Sequence, residues 1–518
     1  MTPPDSLTEL NNSETTVMSV LSAPISQAPA IVSVPTATHS DRRFAGGIAW
    51  TAAAKWSSQV FSWASLFVVA RVLLPSDFGL VGMAAIYLEL AQYFSEFGFG
   101  SAIVTLRDVT EEQTRQINTL CVLSGVVAFA VSCAAAVPLG LFFRAPQLPA
   151  VVVAMSATFL LSGFQTVPYS LLQKDLEFRV LSIIDASRGV AQALTVLFLA
   201  LFGFGYWALV IGNLVAAATS AAVPLIFRGR GLARPHIHSV KTAIVFSWRV
   251  LVARMSWAAY SNADFLVAGR MLGSTALGFY TIAWNLAFAP QEKVTSLITQ
   301  VAPAFFSAAQ TDYAALRRYL CRLTEGLSLI IVPAALGLAL VASELVPLAL
   351  GRKWSGAIVP LELLAVFASF RSLTTLFAPV LTALGEVRFV MWYNLAALVL
   401  LSTSFYIGSR EGTTGIALAW VTVYPLIALS LYRWTFRRIH MGFREYFAAV
   451  RPSLSGSLAI LLFVLPLKWV LPGSWPAYVR LGLEVLTGVL TYSAVLLLFY
   501  RDRLRAFREF VQKEESLD

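Results

Sequence analysis

The chain has 518 residues, 58% of them hydrophobic and 13% charged, and a formal net charge of +10. Soluble domains carry about 25% charged residues, so this composition cannot clothe a water-facing globule, and a mean hydropathy of +0.72 points to lipid as the solvent. The surplus Lys and Arg are spread over many short segments instead of one basic stripe, which excludes a nucleic-acid surface.

Residues 1–45 are rich in Ser, Thr, Pro and Ala and hold no apolar core of signal-peptide length, so they read as a disordered cytoplasmic leader. Beyond them, runs long enough to cross a bilayer recur about fourteen times up to residue 500. A crossing helix needs roughly 20 apolar residues, and backbone groups within lipid must be paired inside their own segment, so these runs predict helices. The first six fall at 47–74, 78–103, 117–143, 148–172, 180–202 and 206–227. The next six fall at 250–272, 277–309, 323–350, 358–384, 387–408 and 415–432, and the last two at 454–471 and 475–500. The fold class is an all-α polytopic membrane protein. Its organisation is a first lobe over 46–230, a cytoplasmic linker over 231–246, a second lobe over 247–438, two more spans within 439–500 and a basic tail over 501–518.

Arg107, Arg115, Lys174, Arg228, Arg317, Arg437 and their neighbours crowd into alternate gaps, whereas the other gaps hold little more than Arg144, Arg352 with Lys353, Arg410 and Arg480. Basic loops stay cytoplasmic, which places both termini in the cytoplasm and requires an even number of spans. The chain has three Cys. Cys121 and Cys133 lie on one predicted helix about 18 Å apart, too far for a disulfide, and nothing in the sequence implies a metal or redox cofactor.

A repeat is visible. Arg71-Val-Leu-Leu-Pro-Ser-Asp-Phe-Gly79 joins the first span to the second, and Arg270-Met-Leu-Gly-Ser-Thr-Ala-Leu-Gly278 joins the seventh to the eighth. The two match at Arg, Leu and Gly without a gap and occupy equivalent places six spans apart. Parallel repeats of this kind build transporters whose substrate site lies between the halves near the bilayer midplane.

The run from Ala70 through Ala84, with Phe97-Gly-Phe-Gly-Ser-Ala102 after it, resembles the amino-terminal signature of the polysaccharide transporters. These are Wzx-like flippases of the multidrug/oligosaccharidyl-lipid/polysaccharide exporter superfamily, and the chain looks most like the exopolysaccharide-exporter branch. The resemblance covers about residues 46–505. It implies two six-helix lobes around a central cavity, with the last two helices peripheral. It also implies flipping of undecaprenyl-pyrophosphate-linked repeat units across a bacterial inner membrane; assembly with polymerase and co-polymerase proteins is left open. Pseudo-symmetry within one chain makes a monomer sufficient.

Ionisable residues at membrane depth cost at least about 2.5 kcal/mol each and point to function. Some have a structural explanation: Lys55 can snorkel, Asp185 and Arg188 neutralise each other at i, i+3, and Glu344, Glu362 and Lys468 stand near span ends. Others do not. Arg254 and Asp264 share a side of the seventh span, which ends at Arg270, the repeat partner of Arg71, and Arg371 sits inside the tenth. The second span carries a stripe of Glu89, Gln92 and Glu96, and the eighth carries Asn285, Glu292 and Lys293 around Pro290. Arg offers a planar fork of donors to phosphate oxygens, so Arg71, Arg254, Arg270 and Arg371, with Asn285 and Lys293, are the expected contacts to an anionic headgroup. Glu89, Glu96, Asp264 and Glu292 are the expected carriers of a coupling H⁺ or Na⁺.

A multidrug or cation antiporter of the same superfamily is the alternative, although its cavity would be acidic and free of intramembrane Arg. An enzyme acting on lipid-linked sugars would need an acid/base pair or metal beside a sizeable extramembrane surface. The loops here are short, and His39, His236, His238 and His440 form no ligand set. A channel would show a filter or ring of charge, and none is present in the sequence.

Overall fold

A computed structural model of the chain describes residues 65–105, 110–175, 177–229, 231–234, 236, 244–245, 247–248, 251, 255, 261–299, 306 and 309–501. The expected leader, most of the expected first span, Arg254 and the tail beyond 501 lie outside them. All described residues belong to the compact unit Ala53–Asp518, and among them there is no strand.

Residues 65–72 are helical. The chain then runs through α1 (Pro75–Glu96), the short α2 (Phe99–Thr105), α3 (Glu111–Phe143), α4 (Leu148–Lys174), α5 (Phe178–Leu201) and α6 (Tyr206–Arg228). A second series comprises α7 (Ala263–Thr299), α8 (Tyr313–Ala349), α9 (Ile358–Thr374), α10 (Phe377–Ala383), α11 (Val387–Gly408) and α12 (Gly412–Arg438). The chain closes with α13 (Phe443–Val470) and α14 (Ala477–Phe499). Helices α1 to α6 pack on one another, α7 to α12 do the same, α13 and α14 lie against α8, and the two series meet most extensively along α1 and α7.

Eleven runs among the described residues are long and apolar enough to cross a membrane, against the expected fourteen spans. The first span lies mostly outside the described residues, and two expected pairs are each one unbroken run. In α7, the seventh and eighth spans join at Gly273, whose φ of 83° and ψ of −176° turn the chain. Arg388–Arg438 holds both α11 and α12 in 51 residues. A straight helix of that length would measure about 76 Å against a hydrocarbon layer of about 30 Å. The chain instead doubles back at the 3-10 turn Ser409–Glu411, with Gly412 at φ 70°, and Gly408 and Gly415 let the two helices touch backbone to backbone.

Helix ends follow local chemistry more than hydropathy. At α3, Thr110 Oγ1 accepts from the Gln113 backbone N–H while Gln113 Oε1 accepts from that of Thr110, at 3.2 and 3.0 Å, a reciprocal cap. Helix α8 starts ten residues before the expected 323 because Asp312 Oδ1 accepts from the N–H groups of Ala314 and Ala315 at 2.9 and 3.0 Å, so the turn bearing Arg317 and Arg318 is helical. Helix α13 likewise starts at Phe443 and not at 454. The expected tenth span is divided between α9 and α10, where the hydroxyls of Thr374 and Thr375 both bond to the Arg371 carbonyl and compete with the backbone ladder.

Candidate functional site

The repeated motif places the two series in contact at one end of the molecule. A Cβ added at Gly79 would lie 1.7 Å from the Ser274 carbonyl oxygen, and one added at Gly278 would lie 1.9 Å from that of Pro75. Ser274 and Pro75 are equivalent positions of the two motifs, each four residues after its Arg. The contact is therefore reciprocal, and only glycine permits it. The arginines cross in the same manner. Arg71 Nε donates to the Ala349 carbonyl at 2.9 Å and Nη2 donates to that of Leu348, at the end of α8. Arg270 Nη1 donates to the Phe142 carbonyl at 2.6 Å, at the end of α3, and its guanidinium lies over the Phe142 ring. Helices α3 and α8 hold the third expected span of their respective lobes. Each motif arginine thus caps the third helix of the opposite lobe, where carbonyls lack intrahelical partners and a cation suits the helix dipole. Lys353 Nζ adds bonds to the carbonyls of Arg71 and Leu73 at 2.8 and 2.6 Å, and Trp354 Nε1 donates to that of Ala70 at 2.8 Å.

In the second lobe Asp264 is fully buried. Its Oδ2 accepts from Tyr280 Oη at 2.7 Å and Trp420 Nε1 at 3.0 Å, while Oδ1 has no hydrogen-bond partner among the described residues. Aromatic rings close the surroundings: Phe265 is edge-on to Tyr280, Trp284 stacks on Phe288 at 4.2 Å, and Phe367 stacks on Trp420 at 4.5 Å. No basic side chain among the described residues forms an ion pair with this carboxyl group. Arg371 is half-buried on α9, with its guanidinium 5.4 Å from the centre of the Phe288 ring.

The polar stripe of the second span leads into a cavity of about 470 Å³ inside the first lobe. Gln92 and Glu96 line it from α1, with Gln92 Nε2 donating to Glu96 Oε1 at 2.9 Å. Asp185 and Arg188, which the sequence accounts for as a neutralising pair, face the same cavity from α5. Glu89 accepts from Tyr93 Oη at 3.4 Å instead. Asn285 and Glu292 are exposed on α7. Arg254 and the side chain of Lys293 lie outside the described residues. Of the predicted site residues, the structure places Asp264 and Arg371 around one aromatic cluster, Arg71 and Arg270 at the crossed caps, and Glu96 in the first-lobe cavity.

A further charged group was invisible as a unit in the sequence. Glu344, on α8, accepts from Lys468 Nζ of α13 at 2.9 Å and Arg480 Nη2 of α14 at 2.5 Å. Glu484, 1% exposed, lies 4.0 Å from the same Lys468. The cluster ties the last two helices to the second lobe.

Comparison with known proteins agrees with this architecture. The chain is 24% identical to the teichuronic acid biosynthesis protein TuaB of Bacillus subtilis, over 89% of its own length and 96% of that protein's. It is 26% identical to the lipopolysaccharide biosynthesis protein WzxC of Escherichia coli over 82% and 85% of the two chains. It is 24% identical to the succinoglycan biosynthesis transport protein ExoT of Rhizobium meliloti over 91% and 96%. Among solved structures, the lipid II flippase MurJ in an inward closed conformation superposes with a TM-score of 0.67 at 13% identity, covering 88% of this chain and 99% of that one. An inward-facing multidrug resistance transporter of the MATE family superposes with a TM-score of 0.61 at 13% identity, over 74% and 94%. A family model described as "Polysaccharide biosynthesis protein" matches residues 68–359, more than half of the chain, and this multi-pass membrane protein belongs to that family.

Proposed function

We propose that the chain is a flippase that moves undecaprenyl-pyrophosphate-linked oligosaccharide repeat units across the bacterial inner membrane for exopolysaccharide or surface-polysaccharide synthesis, with both termini cytoplasmic. The observation that carries the reading is the pairing of a sealed end with a hollow lobe. Crossed caps and touching glycines close the end expected to face the periplasm, while a polar cavity opens in the half expected to face the cytoplasm. That is one of the two states alternating access requires. The names of its relatives, one of them a succinoglycan transport protein, support a polysaccharide precursor as cargo.

In this reading Arg371 and Arg254, with Asn285 and Lys293, meet the pyrophosphate. Arg71 and Arg270 spend the closed state on backbone carbonyls. Opening that end would release two guanidinium groups at the moment the headgroup needs a path outward. Asp264 is the foremost coupling residue, with Glu89, Glu96 and Glu292 as further carriers. Two hydrogen bonds on one oxygen of Asp264 leave its charge without a counter-ion among the described residues, which is costly in a buried site, and a H⁺ or Na⁺ arriving from outside would offset it. A single chain suffices for the cycle, and assembly with a polymerase and co-polymerase is compatible with it.

The test is expression in cells lacking their own flippase. Restored polymer, with loss of the accumulated lipid-linked intermediates, is expected from the parent chain, and greatly reduced export from Arg371→Ala. Efflux of cationic drugs without any effect on those intermediates would favour the multidrug antiporter and refute this reading.

A further inference from the structure

The first-lobe cavity has a lining that membrane helices do not acquire by default. On α4, Ser162, Gln165, Thr166, Tyr169, Ser170 and Gln173 all face it. Their spacing of 3, 4, 7, 8 and 11 residues traces one side of a helix. From Gln173, near the end of α4, the stripe climbs about 16 Å to Ser162, roughly to the middle of a layer about 30 Å thick. Polar groups at that depth are costly unless water or a ligand bonds them. The carboxamides of Gln165 and Gln173 and the hydroxyl of Tyr169 make no hydrogen bond to any described residue.

The polarity is confined to one side of α1. Gln92 and Glu96 look into the cavity, whereas Leu90 and Phe94 border a separate apolar groove with Leu123 and Val127 of α3. The charges inside the cavity are also selective. Arg188 is the one cation on its described lining, set against the carboxylates of Glu96 and Asp185. A pyrophosphate would meet two carboxylates and one cation on that described lining. Carboxamides and hydroxyls, which both offer and accept hydrogen bonds, beside carboxylates, which accept them, match a different ligand, one with many hydroxyls and no charge. The volume of about 470 Å³ lies within the roughly 300 to 1,000 Å³ of small-molecule sites.

We propose that this cavity seats the glycan of the lipid-linked substrate, as a neutral, hydroxyl-rich pyranose unit held by Gln165, Tyr169, Gln173 and Asp185, while the pyrophosphate stays outside it. The proposal rests on the flippase reading and deepens it: the two lobes divide the substrate, sugar to the first and phosphate to the arginines.

The experiment uses the full chain in nanodiscs and fluorescent undecaprenyl pyrophosphate, either bare or carrying one glucose, galactose or N-acetylglucosamine. At least one glycosylated probe is expected to bind the parent about tenfold or more tightly than the bare probe, as a few net hydrogen bonds would give. Gln165→Leu and Asp185→Asn should each shrink that gap to under about threefold and leave the affinity for the bare probe unchanged, which also reports that the variants are folded. A gap that survives both substitutions overturns the proposal, as does an equal loss for the bare probe. A parent chain that binds every probe equally sinks the glycan site alone. A parent chain that binds none sinks the flippase reading as well.

Discussion

Replacing Gly79 by Ala should prise open the sealed end of the protein. The new methyl carbon would stand 1.7 Å from the Ser274 carbonyl oxygen, where ordinary contact begins at 3.4 Å. Both groups belong to helix backbones, so neither can rotate away, and α1 and α7 must separate by about 1.5 Å or more. Overpacking of this kind costs about 1 to 3 kcal/mol. The cost falls only on the arrangement in which the helices touch, so the balance between closed and open forms should move about five- to 150-fold toward open. Spin labels at Leu74 and Arg352, exposed positions beside the crossed caps, would report the change as a longer distance distribution once Cys121, Cys133 and Cys321 are replaced. Gly278→Ala should have the same effect, because its methyl would meet Pro75 at 1.9 Å. The double variant should add little, since one separation relieves both clashes. Gly82→Ala is the control: its methyl would lie 3.3 Å from the Thr281 hydroxyl, which can turn aside. An unchanged distance distribution and melting temperature in Gly79→Ala would refute the reasoning.

Arg71→Ala and Arg270→Ala should lengthen the same distance by similar amounts, since each removes one of two crossed caps; an effect confined to one of them would mean that the two caps are not equivalent. Asp264→Asn keeps an oxygen for Tyr280 and Trp420, so proteoliposomes carrying it should hold their melting temperature within a few degrees but lose stimulation of flipping by a H⁺ or Na⁺ gradient. Stimulation equal to the parent's would remove Asp264 from the coupling. Glu344→Ala removes the carboxylate that Lys468 and Arg480 share, leaving Lys468 on the Leu340 carbonyl and the Ser343 hydroxyl. Hydrogen bonds to a charged group are worth about 1.5 to 3 kcal/mol each, so the melting temperature should fall by several degrees, whereas an unchanged value would show that the cluster does not fasten α13 and α14.

The helices could be read from the sequence because lipid imposes a length and a composition on each crossing, and the repeat because its two copies align without a gap. The partners could not. Gly79 and Gly278 are visible as matched positions, but nothing along the chain says that each faces a carbonyl about 200 residues from it. Arg71 and Arg270 are charges that lipid does not tolerate, and the sequence shows as much, yet the carbonyls that satisfy them end helices of the opposite lobe. Asp185 and Arg188 explained each other within one turn, and that local sufficiency concealed the cavity they line with α1 and α4. The Asp264 box depends on Trp420, 156 residues later. Glu344, Lys468 and Arg480 each looked like an ordinary span-end charge until three helices brought them together.

The symmetry that shapes the contact between the lobes breaks down inside them, and the break lies where the chemistry differs. Arg270 follows Arg71 by 199 residues, and at that offset Gly79 matches Gly278 and Gln92 matches Gln291. Within the same register, however, Asp264, Trp284 and Phe288 of the second lobe correspond to Ser65, Ala85 and Glu89 of the first. In the second lobe, rings stacked at 4.2 and 4.5 Å fill the interior around one buried carboxyl group. In the first, a methyl group and a carboxylate stand where two of those rings would be, and the lobe holds a polar hollow. A closing contact made by equivalent residues needs both motifs preserved, because each supplies the glycine, the carbonyl and the arginine that the other requires. The interiors carry no such mutual constraint. One can therefore be packed to isolate a single titratable group in a low-dielectric surround, and the other hollowed to accept something that must be wetted, while the seam between them keeps its two-fold design.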